Sequence, residues 1–329
     1  MGAAISSSTG MTPAGPLISC IIPTLNRGRV LVDTLEQLVA QKPQSPEIIV
    51  VDQTPQVDPA TEAALSAWRD QGVIQWIRQA EPNASKARNT GALAASGDVL
   101  LFLDDDIQIA PDFVEAHASN YRDSDVVAVA GQVLETERAT TTQLKYPPND
   151  PELGWVRFPK NYATRCVTTW MASGNFSVRR EVYFEVGGMD ENYKRGAFRE
   201  ESDFAMRFLK QGYRFQFDPK ASIVHLGIRS VPGGGARSWN DLSQLHHFVG
   251  NWYFNLKYLR WPNARQVLWY SFRHLVASQR KVRRPHLMLL SGLMWIAALP
   301  IALFRRLLRP KLILNGAPAP AAQQASHST

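Results

Sequence analysis

Three adjacent carboxylates, Asp104, Asp105 and Asp106, carry the strongest chemical signal in the sequence. Neighbouring acids repel one another, so folding them together costs free energy unless a cation offsets the repulsion. Hard oxygen ligands of this kind suit Mg²⁺ or Mn²⁺. The run directly follows the apolar stretch Val99–Leu103, so a rigid strand would aim it. We therefore predict a divalent-metal site here; the alternative is a solvated acidic loop before a helix.

Two further groups have side chains suited to a nucleotide ligand. Asp52 ends a second apolar run; it is either a turn-forming residue or a carboxylate that accepts hydrogen bonds from a base or ribose. Lys86, Arg88 and Asn89 lie near the start of a predicted helix, where positive charge opposes the helix dipole. A bound diphosphate would offset that cost, whereas a solvated basic face is the simpler alternative.

Acidic residues also precede a predicted helix at 204–210, namely Glu200, Glu201 and Asp203. Acids near a helix N-terminus are favourable without any function, so this pattern alone does not establish a catalytic role. His225 ends a short apolar run, where a structural histidine is the common case.

Alternating strands and helices must position these side chains. Between Leu17 and Val133, short apolar runs alternate with segments of helical periodicity, which predicts a parallel sheet covered on both faces. Ligands of such sheets bind beyond the carboxyl ends of the strands. Those ends carry Pro23 and Thr24, Asp52, and the Asp104–Asp106 run. The predicted strands are 17–22, 47–51, 73–77, 98–103 and 126–133, and the predicted helices are 30–40, 60–70, 85–95 and 111–121.

The second half of the chain is less regular. A Pro-rich, aromatic segment spans 146–162, and a Gly233–Gly235 loop precedes a region that reads as helical from Leu242 onward. The intervening prediction is a strand at 174–178, helices at 180–186 and 204–210, and short strands at 214–217 and 223–225. Residues 1–15 and 317–329 have the composition of disordered tails.

The bulk composition narrows the classes of function. The chain has 329 residues and a net charge of +7, which favours anionic partners. Its basic residues cluster around an apolar segment and do not form a recognition motif, so we expect no nucleic-acid partner. The cysteines, Cys20 and Cys166, are too few for a disulfide framework, which makes a reducing compartment the default.

An uncharged apolar segment, Leu287–Phe304, lies between basic clusters at residues 281–284 and 305–309. As a helix it would rise about 27 Å, slightly short of the bilayer's hydrocarbon core. A single span would place one basic cluster on the non-cytoplasmic side, against the positive-inside tendency. We therefore predict a re-entrant or in-plane helix on the cytoplasmic side of a membrane. A buried helix packed on the catalytic domain is the alternative.

Taken in order, these motifs resemble family 2 glycosyltransferases over about Leu17 to His225. The match includes the first strand with its loop and the second strand with its terminal Asp. It also includes the helix around Arg88, the acidic run and three later segments. The matching segments are Ser19–Arg27, Ile48–Asp52, Ala87–Gly91, Ala95–Asp98, Leu101–Asp106, Gly174–Arg180, Val186–Glu191 and Glu200–Phe204, with Arg207 and Gly212–Tyr213 following.

The resemblance implies a GT-A type α/β fold, with a Rossmann-like, mostly parallel sheet, and a metal-dependent transfer that inverts the anomeric carbon. It implies Asp106 as the direct ligand of Mg²⁺ or Mn²⁺, supported by Asp104, with Asp105 facing the ribose and His225 reaching the metal or diphosphate. Glu201 takes the place of the family's catalytic Asp, and Glu200 is the alternative base. The donor-binding candidates are Pro23, Thr24, Asn26, Arg27, Asp52, Lys86, Arg88, Asn89, Asp104 and Asp105, and the acceptor-side candidates are Trp170, Gly174 and Asn175.

The resulting hypothesis is a catalytic domain at 16–228, with a donor half at 16–106 and an acceptor half at 107–228. A helical region follows at 229–285, a membrane-associating segment at 286–309, and disordered tails at 1–15 and 310–329. The expected donor is a UDP-, dTDP- or GDP-sugar, and the expected acceptor is a glycan or lipid-linked precursor of a cell-envelope polysaccharide. The rivals are a non-catalytic nucleotide-binding protein and a nucleotidyltransferase, whose usual Gly-rich basic loop is here replaced by Pro23–Arg27.

Overall fold

The computed structural model describes residues 15–42, 46–135, 140–144, 147–148, 158–196, 198–228, 244–259 and 264–313. Residues 1–14 and 314–329 of the predicted tails, the Gly233–Gly235 loop and most of the Pro-rich segment 146–162 lie outside the described residues.

A nine-stranded sheet organises the catalytic region, in the order β3-β2-β1-β4-β8-β6-β9-β5, with β7 paired to β9. Its strands are β1 (Ile18–Thr24), β2 (Glu47–Asp52), β3 (Gln75–Arg78), β4 (Val99–Leu103), β5 (Ile107–Ile109), β6 (Ala128–Glu135), β7 (Cys166–Thr168), β8 (Asn175–Arg179) and β9 (Phe215–His225).

The first four strands of that order are parallel to one another. Strands β1, β2 and β4 are apolar at nearly every position because both faces of the sheet are covered. In the register of β1 on β2, Thr24 lies opposite Asp52, so these two strands end together. The polar residues that follow the strands therefore converge at one edge of the sheet, as predicted.

Antiparallel pairing brings distant parts of the chain to the same edge. Strand β8 pairs with β4 so that Asn175 lies opposite Leu103, which puts Gly174 beside Asp104. Strand β9 pairs with β5 so that His225 lies opposite Ile107. Residues 174 and 225, which follow the acidic run by about seventy and about 120 positions, thus flank it in the fold.

Six helices belong to this region: α1 (Arg29–Val39), α2 (Pro59–Asp70), α3 (Ala84–Ala94), α4 (Phe113–Ala118), α5 (Arg180–Val186) and α6 (Glu200–Lys210). Helix α6 begins four residues before the predicted start, so Glu200, Glu201 and Asp203 form its first turn. The two short strands predicted around residue 220 are one strand, β9. A register shift against β6, between Gly131 and Gln132, accommodates its polar middle.

Four helices follow the sheet: α7 (Leu245–Tyr258), α8 (Ala264–Leu275), α9 (Gln279–Val282) and α10 (Pro285–Leu307). Helices α7, α8 and α10 share an apolar cluster with Tyr193 and Phe198 of the catalytic region. Trp252 of α7 stacks near Trp295 of α10 and donates a hydrogen bond to its carbonyl oxygen. The helical extension is thus packed onto the catalytic region.

The C-terminal tail was predicted to be disordered from residue 310, and this start is too early. The Lys311 carbonyl accepts a hydrogen bond from Glu191 N, and Ile313 N donates to the Gly187 carbonyl. The chain after α10 therefore returns to the turn that follows α5 and bonds to it.

Candidate active site

A groove of about 290 Å³ opens beyond the ends of β1 and β2. The loop after β1 supplies Thr24, Asn26 and Arg27, and β2 supplies Asp52. Asn26 has a positive φ of 56°, and its backbone N–H is held by Thr54 Oγ1, so the loop turns sharply around the groove. The lining is completed by Gly28, Leu31, Thr54, Gln56, Val57, Asp58 and Thr61.

Asp52 is fixed rigidly at the wall of this groove. Its Oδ1 accepts a hydrogen bond from Thr54 N at 2.8 Å. Its Oδ2 accepts one from Trp76 Nε1 at 3.2 Å and lies 3.3 Å from Arg78 Nη1. The carboxylate is thereby oriented by three donors before any ligand arrives.

Arg27 bridges two members of the acidic run. Its Nε lies 2.9 Å from Asp105 Oδ1, its Nη2 lies 3.2 Å from Asp106 Oδ2, and its Nη1 donates to the Ile228 carbonyl at 2.6 Å. Both aspartates are buried. Burial raises the pKa of Asp105 to about 7, although the charge of Arg27 opposes that shift. The Arg27 guanidinium thus supplies part of the positive charge that offsets the repulsion between these carboxylates.

Asp106 also faces His225, whose Nε2 lies 3.3 Å from Asp106 Oδ1. The pKa of His225 is raised, first by its contact with the Asp106 carboxylate and then by the charges of Asp104 and Asp106. Asp106 Oδ2 also accepts a hydrogen bond from Ile228 N at 3.1 Å. His225 was predicted to reach the metal or diphosphate, and the structure places its ring beside Asp106.

These groups fit a divalent cation. Asp106 Oδ1 is buried and receives no well-directed hydrogen bond, which leaves a carboxylate oxygen available for a metal. Carboxylate oxygens are the ligands that Mg²⁺ and Mn²⁺ prefer. Within the described ranges, no three His, Cys, Asp or Glu side chains already form a metal cage. Arg27 lies where positive charge is needed and would have to yield part of its contact with Asp106.

Asp104 is the most exposed of the three aspartates, with 39% of its side chain accessible. It lies against Gly174: a Cβ at that glycine would meet Asp104 Oδ2 at 2.0 Å. Only a glycine leaves room for this carboxylate, so Gly174 shapes the acidic run. Its predicted role on the acceptor side is untested.

A buried ion pair joins the acidic run to helix α6. Arg88 Nη1 lies 2.7 Å from Glu200 Oε1, while Nη2 donates to Ser173 Oγ at 3.2 Å and lies 3.9 Å from Asp104 Oδ1. Ser85 Oγ donates to Glu200 Oε2. Burial raises the pKa of Glu200 to about 7, against the charge of Arg88. Arg88 therefore positions carboxylates on both sides of the site.

Glu201 differs from Glu200 in both burial and hydrogen bonding. It is half-buried, and no group in the described part of the chain donates a hydrogen bond to its carboxylate. A carboxylate in this state is free to accept a proton from a ligand. The structure thus separates an anchored Glu200 from an unengaged Glu201.

Helix α6 is clamped to the C-terminal extension through Asp203. Arg207 Nε lies 3.0 Å from Asp203 Oδ2, and Tyr258 OH donates to Asp203 Oδ1 at 3.0 Å. Lys257 of α7 contacts Asp203 and also lies 3.0 Å from Asp190 Oδ2. Asp203 is therefore a structural anchor for the helix that presents Glu201.

Two predicted site residues point elsewhere. Asn89 is buried; its amide donates to the Met189 carbonyl and Glu191, and its oxygen accepts from Tyr183 OH and Met189 N. Asn175 is fully buried and donates to the carbonyls of Gln132 and Ala221. Every polar atom of both side chains has an internal partner, and their predicted roles on the donor and acceptor sides stay predictions.

Lys86 and Trp170 also lie away from the groove. The pKa of Glu81 is lowered first by a hydrogen bond from Lys194, with Lys86 and Lys311 contributing charge, so Lys86 belongs to that basic surface group. Trp170 packs at 5.7 Å from the ring of Phe158, on the edge of the core. Pro23 lies in β1, directly before Thr24.

Lys257 and Ser173 are site residues that the sequence pattern did not reveal. Lys257 sits in an aromatic-rich helix, and its partners Asp190 and Asp203 are more than fifty residues away. Ser173 is one residue before Gly174 and has no motif of its own. A single lysine in an aromatic-rich helix without carboxylates was the available signal for a buried ion pair.

Comparisons with known proteins agree with this geometry. Residues 19–187 match the family described as "Glycosyl transferase family 2". The chain is 25% identical to the pre-mycofactocin glycosyltransferase of Mycobacterium tuberculosis over 219 residues, which is 65% of this chain and 44% of that protein. The match therefore spans less than half the length of that relative.

A second relative is the glucosyl-dolichyl phosphate glucuronosyltransferase of Haloferax volcanii, 26% identical over 63% of this chain and 68% of that protein. Among solved structures, GalNAc-T7 with UDP, GalNAc and Mn²⁺ superposes with a TM-score of 0.59 at 17% identity, over 77% of this chain and 50% of that one. This likeness confirms the predicted fold class, an α/β domain of the GT-A type with a C-terminal helical region.

Proposed function

The chain belongs to glycosyl transferase family 2, and from this premise we propose that it moves a sugar from a nucleoside-diphosphate donor to an acceptor hydroxyl, with a divalent cation and with inversion. One observation carries the proposal above the others. Arg88 contacts both Asp104 of the acidic run and Glu200, the residue directly before the half-buried Glu201, so one side chain links the acidic run to the helix turn that carries the proposed base.

The donor nucleotide fits the groove beyond β1 and β2. Asp52 is held there with its carboxylate oriented, and the Asn26 and Arg27 backbone forms the opposite wall. A carboxylate can accept hydrogen bonds from the N–H of a base or the hydroxyls of a ribose. In this proposal Asp105 faces the ribose and Arg27 meets the diphosphate, whose charge a guanidinium recognises well.

The cation would be held by Asp106, with Asp104 and His225 beside it. When bound, Mg²⁺ or Mn²⁺ stabilises the negative charge that develops on the diphosphate leaving group. The chain's own contribution is to keep Asp106 buried and aligned, through the hydrogen bond from Ile228 N and the contact with His225. The Mn²⁺ present with GalNAc-T7 is consistent with this assignment.

On the acceptor side, Glu201 would take the proton of the attacking hydroxyl. The oxygen forms a bond to the anomeric carbon as the bond to the nucleoside diphosphate breaks, so a single displacement inverts that carbon. Arg88 and Lys257 fix the two ends of the first turn of α6 through Glu200 and Asp203. Positioning of this kind keeps the base within hydrogen-bond reach of the acceptor.

Inversion gives the proposal a direct test. We expect the first product formed from an α-linked nucleotide sugar to be the β-anomer. Proton NMR of the product, recorded before any further transfer, reads the configuration of the new linkage from the anomeric coupling. An α-linked product would contradict the single-displacement mechanism.

Arg27 gives a second prediction, which is measured without turnover. Substituting Arg27 by Met leaves Asp105 and Asp106 buried without their counter-charge, and breaking a buried pair costs about 3 kcal/mol of folding free energy. We expect a lower thermal midpoint in EDTA for R27M and a larger stabilisation by Mn²⁺ than in the wild type.

The matched control is R29M. This substitution removes an exposed arginine two residues away, whose ion pairs among the described residues are with Asp33 and Glu36. Equal Mn²⁺ stabilisation of R27M and the wild type would refute the idea that Arg27 occupies the cation's position.

Helix α10 supports the membrane association that we propose. Among the described residues, Pro285–Leu307 is the segment long and apolar enough to cross a bilayer, a property that core helices of soluble proteins can share. Its buried residues form one stripe: Leu287, Ser291, Met294, Ala298 and Ala302. The opposite face is apolar and exposed, as at Leu289, Leu293, Ile296 and Phe304. A helix packed on protein by one side and apolar on the other fits the interfacial region of a membrane.

Both ends of α10 are anchored, the first within the helical extension and the second on the catalytic region. Lys281, just before the helix, donates to the Leu275 carbonyl and to Ser291 Oγ. At the other end Arg305 Nη1 donates to the Asn192 carbonyl at 3.1 Å, and Ile313 N reaches Gly187. This arrangement supports a helix that lies in the plane of the cytoplasmic membrane surface. Residues 16–228 would then form the catalytic unit, 229–285 a helical connector and 286–309 the attachment.

A further inference from the structure

A two-lobed groove lies along α8 and α9, outside the site described above. Its lobes measure about 390 and 460 Å³ and share Trp269, Arg273, Ala277 and Gln279. The first lobe adds Gln266, Tyr270, His274 and Ser278, and the second adds Val282 and Arg283.

The groove is positively charged. None of its lining residues carries a carboxylate, and Arg273 makes no ion pair with any residue that the structure describes. Residues 242–329 contain twelve of the 36 Lys and Arg and none of the 29 Asp and Glu. The negative charge that balances this segment must therefore come from outside it. The arginine, serine and glutamine side chains of the groove are well suited to bind a phosphate group.

A run of aromatic side chains connects the groove to α10. Trp269, with 61% of its surface exposed, stacks on Phe272, which in turn contacts the ring of Trp295 on α10. Tryptophan favours the boundary between hydrocarbon and headgroups. The groove thus sits where a lipid headgroup would lie if α10 rested on a bilayer.

The inner wall of the groove contacts the chain just before the proposed base. His274 stacks on Phe198 with ring centroids 5.6 Å apart, and the Arg199 guanidinium lies 5.7 Å from the Tyr270 ring. Arg199 has a positive φ of 79° and directly precedes α6. A ligand bound at His274 and Tyr270 is therefore placed next to the segment that orients Glu201.

We propose that this groove binds the phosphate group of a lipid-linked acceptor at the bilayer surface. The inference rests on the proposed function and extends it by naming the acceptor class. Arg273 meets the phosphate, Trp269 sits at the hydrocarbon boundary, and the acceptor's hydroxyl-bearing part extends past Phe198 towards Glu201. Arg273 acts as a binding residue in this arrangement and takes no part in the chemistry.

The test compares R273Q with the control R265Q in the full chain. Both substitutions remove one exposed charge from α8, but Arg265 does not line the groove. Binding is measured by sedimentation with vesicles of phosphatidylcholine, alone or mixed with phosphatidylglycerol or phosphatidic acid. We expect R265Q to weaken binding to both anionic vesicles equally, by at most about fivefold. R273Q should weaken binding to phosphatidic acid, a phosphate monoester, by about tenfold more than R265Q does.

Equal effects of R273Q and R265Q on all vesicles would overturn the proposal, since ordinary surface charge would then explain the binding. Inorganic phosphate that bound the wild type in solution as tightly as phosphatidic acid vesicles do would assign the groove to a free anion and would also overturn it. Because vesicle binding needs no turnover, E201Q should bind as the wild type does. Absence of sugar transfer by the wild type, with its lipid discrimination intact, would therefore count against the proposed function alone.

Discussion

Replacing Asp106 with Asn is expected to lower kcat/KM for sugar transfer by about 10³-fold, the cost of removing an electrostatic element that acts on the leaving group. Asp106 is buried, and its Oδ1 lacks a well-directed internal hydrogen bond. Asparagine keeps the size of the side chain and removes its charge. D106N removes the contact of Arg27 with the charged Asp106 but leaves Arg27 paired with Asp105, so the variant should still fold in EDTA, with a thermal midpoint at or below that of the wild type.

The same variant should lose its response to the cation. We expect Mn²⁺ to raise the thermal midpoint of the wild type and to leave that of D106N unchanged. D112N is the matched control, because Asp112 is exposed and its side chain makes no cap hydrogen bond at the start of α4. If D106N retained the activity of D112N, the acidic run would not be the site that acts on the diphosphate.

Replacing Glu201 with Gln is expected to reduce kcat by roughly 10²–10⁴, the usual contribution of general-base catalysis. Gln is nearly the same size, so α6 should keep its clamp through Asp203 and Lys257. The KM for the donor should change little, since Glu201 lies outside the nucleotide groove. Steady-state kinetics with both substrates separates these two effects.

Glu200 is the rival base, and its pKa, raised by burial to about 7, suits that task. Its carboxylate is nevertheless engaged by Arg88 and Ser85. We expect E200Q to be less impaired than E201Q and to lose thermal stability, because Arg88 would be left without its closest acid. A larger loss of kcat in E200Q, together with a wild-type rate that rises with pH through about 7, would assign the base to Glu200.

The sequence was sufficient to locate the edge of the sheet at which the site forms. Strands β1, β2 and β4 are short apolar runs bounded by turn residues, and parallel strands present their carboxyl ends together. That rule alone predicts the proximity of Thr24, Asp52 and the acidic run. The position of His225 needed the pairing of β9 with β5, which is a non-local property of the fold.

The roles of some polar residues could not be predicted from the sequence, for one physical reason. Asn89 and Asn175 occur in motifs that read as ligand-binding, yet both satisfy buried backbone groups at turns and strand ends. Sequence shows that a polar residue is present; it does not show whether the core or the cleft uses its hydrogen bonds. The Lys257 ion pairs escaped notice for the converse reason, since their partners lie on other elements.

The most direct test of the central claim is release of nucleoside diphosphate from a panel of UDP-, dTDP- and GDP-sugars, measured with and without Mn²⁺. We expect the wild type to cleave one nucleotide class in Mn²⁺ and to be inactive in EDTA, while D106N and E201Q are both crippled and D112N is not. Cleavage of none of the sugars by a folded, Mn²⁺-supplemented protein, with or without candidate acceptors, would contradict the account. So would full activity of a metal-stripped enzyme in EDTA.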